Sequence, residues 1–249
     1  MMRKIILTIL LALTSRAAFC GNILDSLQYD VRIGYSIGAT IPYNIPASIR
    51  KLNSFTPQLD FSAGIDAYKL LGGPWGLMVG IYLERKGMDI DATVKSYKTE
   101  MVRGGETIAG NFTGRNSTEE DLWMITIPIL ATFDIHKVRL RLGPYASFVV
   151  SRDFTGVAYD GYIRIDSPVG AKVIVGSDKS TRGTYDFGDK MRRMQYGIKV
   201  GADWNFHRTW GAYCDLSFGV SGIFHSNFDS IEQTFYPVYG TFGVKYNLN

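Results

Sequence analysis

The stretch YGTFGVKYNLN, Tyr239 to Asn249, closes the sequence. Phe242, Val244, Tyr246 and Leu248 alternate with Thr241, Gly243, Lys245 and Asn247. A period of two puts the two sets on opposite faces of a β-strand. Terminal residues usually fray unless something holds them. A strand at full strength to its last residue is therefore expected to have a partner. The expected partner is the first strand of the same chain, in a barrel closed within a membrane, because an unpaired edge cannot face lipid.

The same period recurs upstream. Eight segments carry it: Tyr29–Ile41, Gln58–Leu70, Trp75–Lys86, Leu122–Phe133, Val138–Ser151, Met194–Phe206, Trp210–Phe224 and Phe235–Leu248. Each supplies the ~9–11 residues of a tilted membrane strand. The connections alternate. Leu71–Pro74, Asp134–Lys137 and His207–Thr209 are short, whereas Pro42–Pro57, Gly87–Asp121, Arg152–Arg193 and His225–Thr234 are long. Inside the third long connection, Gly156–Ile165 and Ala171–Ser177 read as strand extensions above the membrane. The pattern predicts an all-β fold: an eight-stranded antiparallel up-and-down transmembrane β-barrel with long extracellular loops and periplasmic turns.

Alternation alone does not separate a membrane barrel from a soluble, lipocalin-like one; the content of the two faces does. One face is Leu59, Phe61, Ala63, Ile65; Leu77, Val79, Ile81, Leu83; Ile125, Ile127, Ile129, Ala131; and Ile198, Val200, Ala202, Trp204, nearly free of charge. The other mixes glycine with charge. Arg32, Arg139, Arg141, Lys199 and Lys245 oppose Asp60, Asp66, Glu84, Asp203 and Asp215. Buried charges are costly alone, so these ten are expected to pair in a lumen network that fills the barrel. Eight strands leave an interior that side chains can fill, and glycine makes room for the larger ones. A small conducting pore is the alternative. Trp75, Phe133, Trp204, Phe206, Trp210 and Tyr246 fall near the short-turn ends and Trp123 near the other, as in an interfacial girdle.

The N-terminus, MMRKIILTILLALTSRAAFCGN, has a basic start, an apolar core from Ile5 to Leu13 and small residues at Ala18 and Cys20. It reads as an export signal over residues 1–20, followed by one barrel domain over residues 21–249. Cys20 raises a lipoprotein alternative that bulky Phe19 disfavours. Cleavage after Cys20 leaves Cys214 alone, read as a small apolar strand residue with no disulfide partner. No later apolar run is long enough for a membrane helix. The net charge of +4 over 249 residues gives no case for nucleic acid.

Three segments then carry a resemblance. GIYLERKGM (Gly80–Met88), ITIPILATFDI (Ile125–Ile135) and RLGPYASFVVS (Arg141–Ser151), in that order and spacing, resemble strands three, four and five of the Bacteroidota outer-membrane β-barrel family that includes PorT. MQYGIKVGADW departs from it, with Gln195 where the family often has an acid. The resemblance implies an outer-membrane location and a barrel, and involvement in protein secretion for one member type. Thr241-x-Gly243-x-x-Tyr246-x-Leu248 also resembles the C-terminal signal read by the barrel assembly machinery, although Asn249 follows where an aromatic usually ends it.

Catalytic and metal motifs are scarce. His225, Ser226 and Asp229 share one loop, a set that could in principle activate a nucleophile, but a polar loop holds such residues by chance. Asp89, Asp91, Glu119, Glu120 and Asp121 offer oxygen ligands for Ca²⁺ or an ordinary charged loop. Lys179, Arg182, Lys190, Arg192 and Arg193 could meet lipid phosphates or merely solvate their loop. His136 and His207 fall at periplasmic turns. The expectation is a monomeric outer-membrane barrel, not an enzyme, with no cofactor and no metal site. It would be handled by the assembly machinery during biogenesis, be surrounded by outer-membrane lipid, and act through its extracellular loops on an unidentified envelope or extracellular partner.

Overall fold

The computed structural model describes residues 27–42, 46–165, 167, 169–228, 230–231 and 234–248. The expected signal segment with Cys20, and also Asp229 and Asn249, lie outside the described residues. Eleven strands follow in order: β1 (Gln28–Pro42), β2 (Ile49–Pro57), β3 (Asp60–Gly72), β4 (Trp75–Arg103), β5 (Glu106–Ile135), β6 (Val138–Ile165), β7 (Lys172–Val175), β8 (Gly183–Asp186), β9 (Met194–Trp204), β10 (Trp210–Gly219) and β11 (Phe235–Asn247). No described helix is long and apolar enough to cross a membrane.

Eight of these strands close a ring. β1 pairs with β3, then β3 with β4, β4 with β5, β5 with β6, β6 with β9, β9 with β10, β10 with β11 and β11 with β1, all antiparallel. The seam runs from Asp30 opposite Asn247 to Pro42 opposite Phe235. Closure gives every strand of the membrane layer two neighbours, so its backbone groups are satisfied without water. The turn after β3 uses Gly73 at φ 55°, and the turn after β5 uses His136 at φ 54°. Lipid-type side chains point outward all round the ring, among them Ile65, Ile81, Ile129, Leu142, Val200 and Val244. Ring pairs mark the short-turn end: Trp75–Phe133 at 4.7 Å, Trp210–Tyr246 at 4.9 Å and Trp204–Phe206 at 5.6 Å. Phe61–Trp123, at 5.3 Å, marks the other.

The long connections depart from expectation. Gly87–Asp121 is not a loop: β4 and β5 form one hairpin that pairs out to Arg103 and Glu106. β6 continues to Ile165 with β7 and β8 against it, and the connection after β1 contains β2, which lies on β4. The physical reason is an inversion of polarity along the same strands. Below Lys86 the inward residues of β4 are Gly80, Tyr82 and Glu84, and the outward ones are Val79, Ile81 and Leu83. Above it Met88, Ala92 and Val94 are buried, while Asp89, Thr93 and Lys95 lie further out. The lower storey has a polar core and a lipid-facing skin. The upper storey is built like a water-soluble protein, with an apolar core and a polar skin. Polar outward residues made this storey read as loop.

Two strand ends are corrected as well. β10 stops at Gly219, because Ile223 and Phe224 turn inward to the upper core, and β9 stops at Trp204. That core gathers Tyr97, Met101, Phe112, Phe154, Ile163, Tyr185, Phe187, Met191 and Phe224, among others. Tyr185 and Phe187 reach it from the segment between β7 and β9, with rings 5.0 Å apart and Phe154 5.1 Å from Phe224. The segment read as an extracellular loop thus packs into the mouth of the barrel.

Candidate functional site

The lower lumen is filled by buried ion pairs gathered in two knots. Arg32, on β1, directs its fork at Asp203 on β9, with Nη1 and Nη2 each 2.7 Å from a carboxylate oxygen. Its Nε pairs with Asp66 on β3. Asp203 also accepts Arg141 Nη2 at 2.8 Å and faces Lys245 Nζ at 3.6 Å. Arg141 continues to Asp215 at 2.7 Å, and Lys245 to Asp30 at 3.0 Å. A second knot centres on Glu84, which meets Lys86 at 2.9 Å, Lys199 at 3.5 Å and the Thr126 hydroxyl at 2.8 Å. Aromatic rings fill the gaps: Tyr213 lies 5.1 Å from the Arg32 guanidinium, and Tyr82 lies 5.0 Å from Lys199. In so dry a site each pair is strong and each lost partner costly.

Close packing explains the lumen glycines. A Cβ at Gly201 would overlap the Asp215 carboxylate, and one at Gly34 the Tyr213 hydroxyl. Small residues are needed where the large charged ones cross.

All ten predicted lumen residues are buried. Arg32, Asp66, Glu84, Arg141, Lys199, Asp203, Asp215 and Lys245 fall in the two knots just described. Arg139 sits apart at the lower mouth, bound to Asp134 at 2.7 Å with its guanidinium 3.4 Å from the Tyr68 ring centre. Asp60 is a correction: it is buried, yet forms no ion pair among the described residues. Ser36 lies opposite it on β1, Ser62 follows it on its own strand face, and the nearby inward cation Lys86 on β4 pairs with Glu84 instead. Asp30 and Lys86 were missed, although they share the parity of Arg32 and Glu84. Glu120 was missed because it lies beyond the expected strand; it is buried and accepts a hydrogen bond from Thr40 Oγ1 at 3.1 Å.

Above the lattice lies an apolar cavity of about 240 Å³. Met88, Ile90, Val94, Phe154 and Phe187 line it from the core side, and Ile41 and Leu52 from the wall. Among the described residues no charged side chain lines it. Higher still, a polar cleft of about 820 Å³ opens at the rim, lined by Lys98, Glu100, Asn111, Asp189, Lys190 and His225.

The remaining candidate residues scatter. His225 is exposed at that cleft, Ser226 is exposed beside it in sequence, and Asp229 falls outside the described residues. The acidic residues of β4 and β5 do not converge, because strand alternation sends them to opposite faces. Glu120 points inward, Asp121 binds Arg85 at 2.8 Å on the outer face, and Asp91 is held by Arg115 at 2.9 Å, by Asn53 at 2.7 Å and by the Tyr159 hydroxyl. Among the described residues no acidic or histidine cluster could hold a metal ion. Burial alone would raise the Asp91 carboxyl, and the bonds from Tyr159, Arg115 and Asn53 outweigh it, so its pKa lies below the usual value. Arg192 donates Nε to the Phe224 carbonyl at 2.6 Å, which ties that basic residue to the barrel mouth. Cys214 is free and faces outward on β10. Of the C-terminal signal, Thr241 faces the lumen, whereas Tyr246 and Leu248 face outward.

Residues 16–225 match the outer membrane protein beta-barrel domain family. The chain belongs to that family. It is an outer-membrane β-barrel protein, located in the outer membrane. Among solved structures it is similar to Ail, the attachment invasion locus protein of Yersinia pestis, at 10% identity and a TM-score of 0.37 over 89% of this chain and 97% of that one. It is also similar to CarO2 of Acinetobacter baumannii, at 13% identity and 0.39 over 88% and 99%. The translocator domain of the autotransporter NalP from Neisseria meningitidis follows, at 10% and 0.26 over 98% and 96%. No curated protein matches the chain.

Proposed function

We propose that this outer-membrane β-barrel is a closed envelope component that binds a partner or ligand through its extracellular storey, and does not conduct. The observation that carries the reading is the double block along its axis. The charged lattice around Asp203 and Glu84 fills the membrane layer, and the aromatic core around Phe154, Phe187 and Phe224 fills the layer above. A solute would have to break both. The tall, ordered upper storey and the rim cleft give the protein its recognition surface. Lys98, Lys190, Glu100 and Asp189 set both signs of charge around that cleft, which suits a polar partner.

The three segments that resemble PorT-like proteins support a role beside a secretion machine as one form of this binding. Catalysis has less support: His225 and Ser226 are solvent-exposed, with no carboxylate partner among the described residues. The test is photo-cross-linking in the native envelope from a probe placed at Asn111 in the rim cleft. The reading expects a discrete adduct that mass spectrometry assigns to one partner. A probe that yields only lipid and self-adducts would count against it, as would an envelope in which deleting the β4–β5 tip changes no interaction.

A further inference from the structure

The wall of the barrel is not hydrogen-bonded all the way up. β2 and β3 together follow β4 without a break in direction, from Ile49 opposite Val94 down to Gly72 opposite Trp75. β1 follows β3 only as far as Ser36 opposite Asp60. Above that point residues 37–42 keep β11 on one side and have no strand on the other among the described residues. The Thr40 N–H turns instead to the Met88 thioether, at 3.3 Å. Pro42 and Pro57, which lack an N–H, stand on the two lips. Side chains hold the lower corner of this slit: Tyr35 Oη donates to the Gln58 carbonyl at 3.3 Å, and Arg85 donates to the Leu59 carbonyl at 3.1 Å.

The apolar cavity lies directly behind the slit. Ile41 on one lip and Leu52 on the other both line it, yet they are 44% and 56% exposed. The cavity therefore reaches the outer surface between β1 and β2. Ile37, Phe55 and Leu59 continue the apolar surface around the opening. Just below, Arg85, Asp121 and Gln58 form a polar cluster on the outer face, beside Trp123 and Phe61, which sets the slit at the headgroup level of the outer leaflet. An unpaired backbone is tolerated at that level because water can reach it.

We propose that the cavity is a binding site for the alkyl chain of an amphiphile that enters sideways from the outer leaflet through this slit. The inference rests on the extracellular storey being the binding module, and it names the ligand class. Among the described residues the lining carries no charge to recognise a headgroup, so selection is for an apolar chain. The volume of 240 Å³ exceeds the ~150 Å³ cavity that takes up benzene, so several methylenes fit. Two sources share this chemistry, a free fatty acid and a lipid acyl chain.

The test uses the full mature chain in phosphatidylethanolamine/phosphatidylglycerol vesicles. One arm contains a fatty acid with a terminal diazirine, the other a phospholipid with the same chain. After photolysis, mass spectrometry maps the adducts. The proposal expects adducts at Ile90, Val94 or Phe154, which bulk lipid does not touch, and the arm that yields them identifies the source. Ala92→Phe, which fills the cavity, should cut these adducts about tenfold and leave labelling of outward Ile127 and Val200 unchanged. Where Ala92→Phe shows no heat-dependent gel shift, Thr118→Phe replaces it, and competition by unlabelled decanoic acid on the wild type gives the same readout. Adducts confined to outward residues in both arms overturn the proposal, as do cavity adducts that resist both the filling variant and the competitor. Conductance across the same vesicles separates the two readings: an open channel counts against the closed barrel and leaves cavity adducts standing, whereas a closed barrel without them counts against this inference alone.

Discussion

Neutralising Asp203 should be the most damaging conservative change in the barrel. Asp203→Asn keeps the shape and removes one charge. The carboxylate is fully buried and faces three cations: Arg32 through two 2.7 Å bonds, Arg141 at 2.8 Å and Lys245 at 3.6 Å. Each cation retains another carboxylate, namely Asp66 and, at 3.7 Å, Asp30 for Arg32, Asp215 for Arg141 and Asp30 for Lys245. No cation is left without a carboxylate, so the loss is that of the charge-assisted contacts that Arg32 and Arg141 make to Asp203, about 2–3 kcal/mol. Asp134→Asn is the control. Asp134 pairs with Arg139 at 2.7 Å, but its side chain is 30% exposed, so solvent screens the pair and the cost should stay near ~1 kcal/mol or below. Urea unfolding from phospholipid vesicles, followed by tryptophan fluorescence, measures both. The reasoning fails if Asp203→Asn lies within about 1 kcal/mol of the wild type, or if Asp134→Asn costs as much.

Other predictions follow from the same geometry. Deleting Val244 to Asn249 removes the pairing of Tyr246 with Val31 and Trp210, so no heat-modifiable band should form; a folded truncated barrel would refute the closing role of β11. Cys214 faces lipid, so in vesicles it should resist a polymer-linked maleimide and react after urea unfolding; equal reaction in both states would place it elsewhere. The Asp91 carboxyl has a pKa below its unfolded value of ~3.9, so it adds stability above that value that is lost as pH falls through the folded pKa. Wild-type urea midpoints at pH 6 and pH 3 should therefore differ more than those of Asp91→Asn, and equal differences would contradict the assignment.

The membrane storey was readable from the order of residues because lipid imposes a strict rule on every outward position. Ile127, Val200 and Phe242 could not be polar, and Arg32, Asp66 and Lys245 could not face outward. Parity alone then put the charges in one lumen. Parity does not say which carboxylate meets which arginine, since that depends on strand stagger around the ring: Arg32 reaches Asp203 on a strand that is not its neighbour. Nor did it show Asp60 without a cation. The upper storey was hidden for the opposite reason. Its strands keep the period of two but invert its sense, so Asp89, Asp91 and Thr93 look like loop when only the outward residues are weighed. Met88, Ile90, Ala92 and Val94 were the available signal. The cavity had no signature at all, because it arises where β1 and β2 fail to pair.

The central claim is that the barrel is closed along its axis, and planar-bilayer recording of the purified protein tests it most directly. The account predicts no stable single-channel conductance for the wild type across the physiological voltage range. A steady, ohmic open state in the wild type would contradict it, because ions cannot pass while the Asp203 and Glu84 lattices and the aromatic core above them remain in place.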